Sequence, residues 1–323
     1  MEASGKKING FPAAPRFLLA ALNSHGREMS LTLLFQQLIN GVSLGSLYAL
    51  IAIGYTMVYG ILRLINFAHG DLLMVASYSA IYGILLFSLP WFLSFPLAII
   101  ATGAVGILLD RAAYKPLRQA PRISLLISAI GASFLMENLA LVLIGGVPKP
   151  FPRPAFFSYV IEAGDLHILV LTIYSPLITL LLVMGLLYIV FKTKAGKAMR
   201  AASRDFEATR LMGINLDRII ALTFLLGSSL AAAGGIMWAM KYPQINPFMG
   251  VLPGLKAFIA AVLGGIGNIV GAVLGGFLLG LCEILIVAFL PNLAEYRDAF
   301  AFLLLIVVLL FRPTGIMGEP IIQ

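Results

Sequence analysis

The chain has 323 residues, of which 60% are hydrophobic and only 11% charged, with a mean hydropathy of +1.00. A soluble domain carries about a quarter charged residues, so this chain lacks the surface to stay dissolved, and a water-soluble enzyme is excluded. The net charge of +8 sits in short loops between apolar runs, which is the pattern of membrane topology rather than of a nucleic-acid surface.

Residues 1–28 are polar and basic, with Lys6, Lys7, Arg16 and Arg27. Their one apolar run, Phe17 to Leu22, is shorter than the roughly 7–15 residues of a signal-peptide core. They are expected to form a disordered extension ahead of a transmembrane domain over 29–323, with Met29 a candidate start. Apolar runs then follow at about 31–62, 71–89, 91–110, 123–144, 168–191, 219–240, 251–267, 269–290 and 299–311. A hydrocarbon core about 30 Å thick takes roughly 20 apolar residues per helix. Backbone groups within it must pair internally, so long apolar runs are helices, and these are too long and too little alternating for barrel strands of roughly ten residues. The expected fold is all-α, a polytopic transmembrane bundle of about eight to ten spans. The first run suits a broken or tilted helix, with Gly41, Gly45 and Gly54 as places to bend. Whether it holds one span or two stays open at this point.

Loops set the orientation. Residues 111–122 carry Arg111, Lys115, Arg118 and Arg122, and residues 192–218 carry seven more Lys and Arg, so the two loops hold half of all basic residues. Both are therefore expected in the cytoplasm, with the C-terminus beside them. The loop at about 145–167, rich in Pro and Phe, is expected outside.

Taken in chain order, the first candidate is Arg63-Leu-Ile-Asn-Phe-Ala-His-Gly-Asp71. Asn66, His69 and Asp71 crowd polar groups at a span boundary, and Gly70 permits a sharp turn. Asn or Asp can cap the next helix, and Asp71 in its first turn suits the helix dipole. A His with an Asp two residues on supplies too few ligands for a metal. Capping is one reading, and a role in transport or subunit contact the other. Glu137 and Glu283 lie within apolar runs, where ionisable groups are costly and raise a functional question. They are read either as lining a pathway or as neutral or paired across helices, while Lys256, near a run's end, is expected to snorkel.

The 192–218 loop contains Lys194-Ala-Gly-Lys-Ala-Met-Arg-Ala-Ala-Ser-Arg-Asp-Phe-Glu-Ala-Thr-Arg-Leu-Met-Gly-Ile-Asn215. Ala198, Ala202, Phe206 and Thr209 fall at helical spacing and give one short cytoplasmic helix a small-residue face. Gly213 suits the left-handed position ending a helix, and Asn215 the cap of the next. An element too short to be stable alone docks on something; the plainer reading is a solvated connector. Further on, Ala260 to Gly276 contains Gly265, Gly267 and Gly271, a superficial dinucleotide fingerprint without its strand–turn–helix context, and Gly264 beside them is a candidate for pathway or helix packing. The repeat Gly267, Gly271, Gly275 instead matches the small-xxx-small face of packed membrane helices. No phosphate-binding loop, metal cluster or nucleophile motif appears in the sequence. The single cysteine, Cys282, gives no disulfide framework.

Four segments together carry a resemblance. Gln36 to Gly60 (Gln-Gln-Leu-Ile-Asn-Gly at its start), Asn66 to Asp71, Gly213 to Phe224, and Ala260 to Gly276 resemble the permease subunits of bacterial branched-chain amino acid ABC importers, most closely the smaller of the two paired permeases. The resemblance runs from about Met29 to Met317, and it favours Met29 as the start. It implies an inner-membrane permease domain with no cofactor of its own. ATP and Mg would be bound by two cytoplasmic ATPase partners, and a second permease and a periplasmic binding protein would complete the machine, with lipid around it and no nucleic acid. It also makes Arg200, Ala201, Ala202, Arg204, Asp205, Phe206, Glu207, Ala208, Gly213 and Asn215 the coupling element that docks on an ATPase. In two places this chain departs from the pattern: Arg200 stands before Ala201-Ala202 where importers generally carry Glu, and Asp71 follows His69-Gly70 where the family usually has Glu. Relatives carry urea, short amides or other amino acids, and a stand-alone secondary transporter is the competing class.

Overall fold

A computed structural model describes residues 31–318 except Asp165, so the expected extension over 1–28 lies outside the described residues. Among the described residues there are twelve α-helices, and seven helical segments are long and apolar enough to cross a membrane. Helix α1 (Leu31–Leu62) is one continuous helix, which resolves the first apolar run into a single span. At 1.5 Å per residue its 32 residues measure about 48 Å. It occupies the centre, with Leu47 through Ile53 completely buried. Its glycines do not break it; they let neighbours approach. A Cβ on Gly45 would meet the Phe277 backbone at 2.7 Å, and one on Gly276 would meet Ala49 N at 2.5 Å.

After a 3₁₀ turn at Phe67–His69, α2 (Asp71–Phe87) starts inside the bundle rather than at its edge. The His69 ring lies against Gly54, two turns before the end of α1, and a Cβ on Gly70 would meet Gly250 O at 2.8 Å. Helix α3 (Trp91–Leu109) runs back and continues into an elbow at Asp110–Leu117. Helix α4 (Arg122–Ile144) packs mainly on the 66–69 turn and this elbow, leaving a cavity of about 1090 Å³ between itself, α2 and α3. A short cap follows: β1 (Lys149–Pro150), α5 (Ala155–Ser158), and the antiparallel pair β2 (Val160–Ala163) and β3 (Leu166–Leu169) with Val160 opposite Leu169. Trp91, Phe95, Phe151, Phe156, Phe157 and Tyr174 knit this cap onto the bundle as an aromatic cluster.

Helix α6 (Val170–Lys192) leads to α7 (Lys194–Arg204) and α8 (Phe206–Leu211), and α9 (Leu216–Lys241) returns to the cap, where β4 (Gln244–Ile245) pairs with β1. The two apolar runs at 251–267 and 299–311 form shorter helices than the span count assumed: α10 (Val251–Gly264) has 14 residues and α12 (Arg297–Phe311) has 15. These measure about 21 and 22 Å, less than the hydrocarbon thickness. The reason for α10 is visible. The chain descends from β4 in irregular form and begins its helix only where Gly250 and Gly254 meet Gly70, so α2 and α10 abut start to start within the bundle. Between the two short helices runs α11 (Ile269–Phe289).

Two ends result. Gln36 Nε2 donates to His167 O at 3.1 Å, placing the start of α1 beside the hairpin. At the opposite end Arg63 approaches Ser203 O, Lys115 and Arg118 pair with Asp217, and Ile316 N donates to Leu263 O. Both basic loops and the stretch 312–318 thus share one end, and the Pro- and Phe-rich loop occupies the other.

Candidate functional site

The expected docking element is two helices rather than one. Asp205 adopts an extended conformation (φ −153°) and breaks the run, and its Oδ1 then accepts from Ala208 N at 3.0 Å to cap α8. Such a cap contributes about 0.5–2 kcal/mol, enough to hold a helix of 6 residues in place. Thr193 caps α7 in the same way, accepting from Gly196 N at 3.1 Å. Gly213 takes φ +78° beyond α8, and Asn215 Oδ1 accepts from Arg218 N at 3.1 Å to start α9. The break at Asp205 divides the predicted small-residue face. Ala202 and Thr209 are buried against the bundle with Met199, whereas Phe206 turns outward.

Arg200 belongs to the inner side. Its guanidinium donates to Val190 O and lies 5.1 Å above the Phe191 ring, so it fastens α7 to α6. Outward, Ala201, Arg204, Glu207, Ala208 and Arg210 are exposed around Phe206, while Leu211 and Met212 are 88% and 81% exposed. These apolar side chains lie exposed on a capped, charged element outside the spans. The sequence reading missed Gly196: a Cβ there would collide with the carbonyls of Ile189 and Val190, so only glycine lets α7 lie against the end of α6.

Asn66, His69 and Asp71 come together at the buried start of α2, but none caps a helix with its side chain. Asn66 Oδ1 accepts from Tyr114 OH at 2.8 Å, and Tyr114 in turn packs 5.2 Å from Phe224. His69 stands edge-on to Tyr55 at 4.5 Å, with its Nε2 unbonded. Asp71 Oδ2 accepts from Ser133 Oγ of α4 at 2.6 Å, and Glu137, one turn further on α4, is close enough for the two carboxyl groups to interact. Ser128 Oγ, one turn earlier on α4, donates to Ala113 O of the elbow at 2.8 Å. No group of three or more His, Cys, Asp or Glu is arranged to hold a metal among the described residues.

Glu283 belongs to a second cluster. Lys256 does not snorkel: it is 5% exposed, and its Nζ lies 2.6 Å from Glu283 Oε1 and 2.6 Å from Asp298 Oδ1. A buried ammonium is tolerated only with such partners. Tyr48 OH donates to Glu283 Oε2 at 2.8 Å, and Arg297 Nε stands 3.7 Å from Glu283 Oε1. The cluster joins α1, α10, α11 and α12. Tyr48, Asp298 and Arg297 were not singled out in the sequence, where they lie far from Lys256 and carry no local signal of meeting it.

The glycines serve packing. Gly264 closes α10 against Gly271, Gly275 faces Ala260, and Gly280 faces Gly45. Gly265 and Gly267 take φ +106° and +98° in the turn before α11, so Gly267 is not part of the helical stripe expected for it.

A central helix ringed by membrane-long helices, with two short capped helices outside them at one end, is the architecture of a multi-pass membrane protein. Residues 37–309 match the family described as branched-chain amino acid transport system / permease component, and the chain belongs to that family. It is 45% identical over 301 residues to the high-affinity branched-chain amino acid transport system permease protein BraD of Pseudomonas aeruginosa, covering 89% of this chain and 97% of that one. It is 42% identical over 299 residues to LivH of Escherichia coli, with 89% and 96% covered. A more distant relative, the autoinducer 2 import system permease LsrC of Yersinia pestis, is 30% identical over 207 residues, 59% of this chain.

Proposed function

We propose that this chain is the membrane subunit of an ATP-binding-cassette importer that carries leucine, isoleucine and valine into the bacterial cytoplasm. The observation that carries this reading is the handle of α7 and α8: it is capped at both helices, anchored by Arg200 and Gly196, and presents Phe206, Leu211 and Met212 outward. In this reading the end bearing the basic loops faces the cytoplasm, and an ATPase subunit grips the handle. ATP and Mg reside in two such subunits, so this chain needs no cofactor. A second permease completes the pathway and a periplasmic protein delivers cargo at the hairpin end. Relatives named for branched-chain amino acids support the cargo, while LsrC shows that related permeases serve other solutes.

The test is reconstitution of the full assembly in liposomes with ATP inside the ATPase compartment, reading uptake of labelled leucine. ATP-dependent uptake displaced by isoleucine and valine is expected. Uptake displaced by urea or short amides instead would reassign the cargo. The Asp71–Glu137 pair keeps a second reading in view, a carrier driven by an ion gradient. Uptake by this chain alone, without ATPases and collapsing with the proton gradient, would establish that reading and overturn the first.

A further inference from the structure

Where α3 passes into its elbow and α9 begins, a cavity of about 680 Å³ opens between the two helices. Ile107 of α3 and Ala221, Leu222 and Leu225 of α9 make its wall aliphatic toward the middle of the spans, and Arg111 and Arg218 line the end nearest the elbow. The outward apolar residues Phe206, Leu211 and Met212 do not line it. We propose that this cavity binds the headgroup of an anionic phospholipid carrying two phosphates, as cardiolipin does, with the acyl chains lying along α3.

The charges come first. The two carboxylates at the cavity, Asp110 and Asp217, are already answered: Arg118 pairs with both, and Lys115 pairs with Asp217. Arg111 and Arg218 are exposed, and their guanidinium groups meet no carboxylate, carbonyl or aromatic ring among the described residues. Arg111, Lys115, Arg118 and Arg218 against Asp110 and Asp217 therefore leave two positive charges. A guanidinium binds phosphate bidentately, so two free ones on different helices suit two phosphates. Basic pockets between spans are where such headgroups lodge.

The order of residues along each helix then selects a lipid over a free anion. On α3, Ile100, Ala104 and Leu108 fall at helical spacing ahead of Arg111, and Ile100 and Leu108 are 64% and 63% exposed. On α9, Arg218 is followed by Leu222 and Leu225 on the same face. Both helices thus carry a cation at the end of the span and a hydrocarbon stripe toward its middle. From Arg111 to Ile100 is about 16 Å at 1.5 Å per residue, and the hydrocarbon of one leaflet is about 15 Å, half of the core. Deeper in, Gly103 and Gly106 let α3 close on Leu225 and Ser228, which keeps the chains on the outer face. An acidic segment of a partner protein would match the two charges but leave both stripes unused.

The experiment takes the full chain with the subunits that copurify with it, delipidated in detergent, and titrates it with cardiolipin or with phosphatidylglycerol, which has one phosphate. Native mass spectrometry reads the bound lipid. Phosphatidylglycerol is expected to bind at least about ten-fold more weakly, as loss of one charge-assisted contact implies. Arg111→Gln and Arg218→Gln should each weaken cardiolipin binding by about ten-fold. Arg122→Gln, exposed at the same end but outside this cavity, should leave it unchanged. Inorganic pyrophosphate, which offers two phosphates without tails, should compete at least about a hundred-fold more weakly than cardiolipin. Equal binding of the two lipids, or wild-type binding by both arginine variants, would overturn the proposal. So would an equal loss in Arg122→Gln, which would mark a basic surface without a site, or pyrophosphate competing as well as cardiolipin, which would mark a site for soluble anions. Normal lipid binding by Arg111→Gln and Arg218→Gln together with loss of a copurifying subunit would reassign the cavity to a protein contact. If a variant fails to fold, the comparison of cardiolipin, phosphatidylglycerol and pyrophosphate on the unaltered protein decides alone.

Discussion

Replacing Lys256 by methionine keeps the aliphatic stem and deletes the ammonium that Glu283 and Asp298 both contact at 2.6 Å. Glu283, 5% exposed, would keep one hydrogen bond from Tyr48 and an Arg297 contact too long to replace the lost one. Removing one partner of a buried pair costs about 3–5 kcal/mol, because the other charge is left uncompensated. For a chain of this size that is a fall of about 4–7 °C in melting temperature. The double variant Lys256→Met with Glu283→Gln removes both charges and lets the amide keep the Tyr48 bond, so most of the loss should return. The assay is thermal unfolding of the purified protein in detergent, followed by tryptophan emission; Trp238 lies 5.9 Å from Tyr48 and reports directly on this region. A double variant as unstable as the sum of its two singles would refute the pairing argument.

Phe206→Ala should leave the bundle folded, because the ring is 38% exposed. It should nevertheless lower cargo-stimulated ATPase activity of the assembly severalfold, as loss of an apolar anchor at an interface does; unchanged stimulation with normal assembly would remove Phe206 from the coupling contact. Asp205→Ala deletes the cap of α8 and should cost about 0.5–2 kcal/mol locally, seen as faster amide exchange across Phe206–Leu211 with no change in the spans. Gly276→Val places a side chain against the Ala49 backbone and should destabilise by about 1–3 kcal/mol or more through overpacking, read as a lower melting temperature. Ser133→Ala should loosen α4 by about 1.5–3 kcal/mol through the bond lost to Asp71, detectable as increased labelling of single cysteines placed along its cavity-facing side.

The helical membrane class and the shared end of the two basic loops were legible in the residues because hydrocarbon acts on one segment at a time. An apolar run must be a helix whatever its neighbours, and basic residues gather at one end without knowledge of packing. Local signals with local causes were legible too: Gly213 takes the left-handed conformation and Asn215 caps α9, as their positions implied. What required the tertiary structure was every feature fixed by a partner far along the chain. The start of α10 inside the bundle follows from Gly250 and Gly254 meeting Gly70, some 180 positions earlier. The burial of Met199, Ala202 and Thr209, with Phe206 left outside, was not legible from helical spacing alone. Lys256 reads as a snorkelling residue until α11 and α12 bring Glu283 and Asp298 to it. Composition and periodicity describe each helix against lipid; which polar groups meet inside is decided only when the helices choose one another.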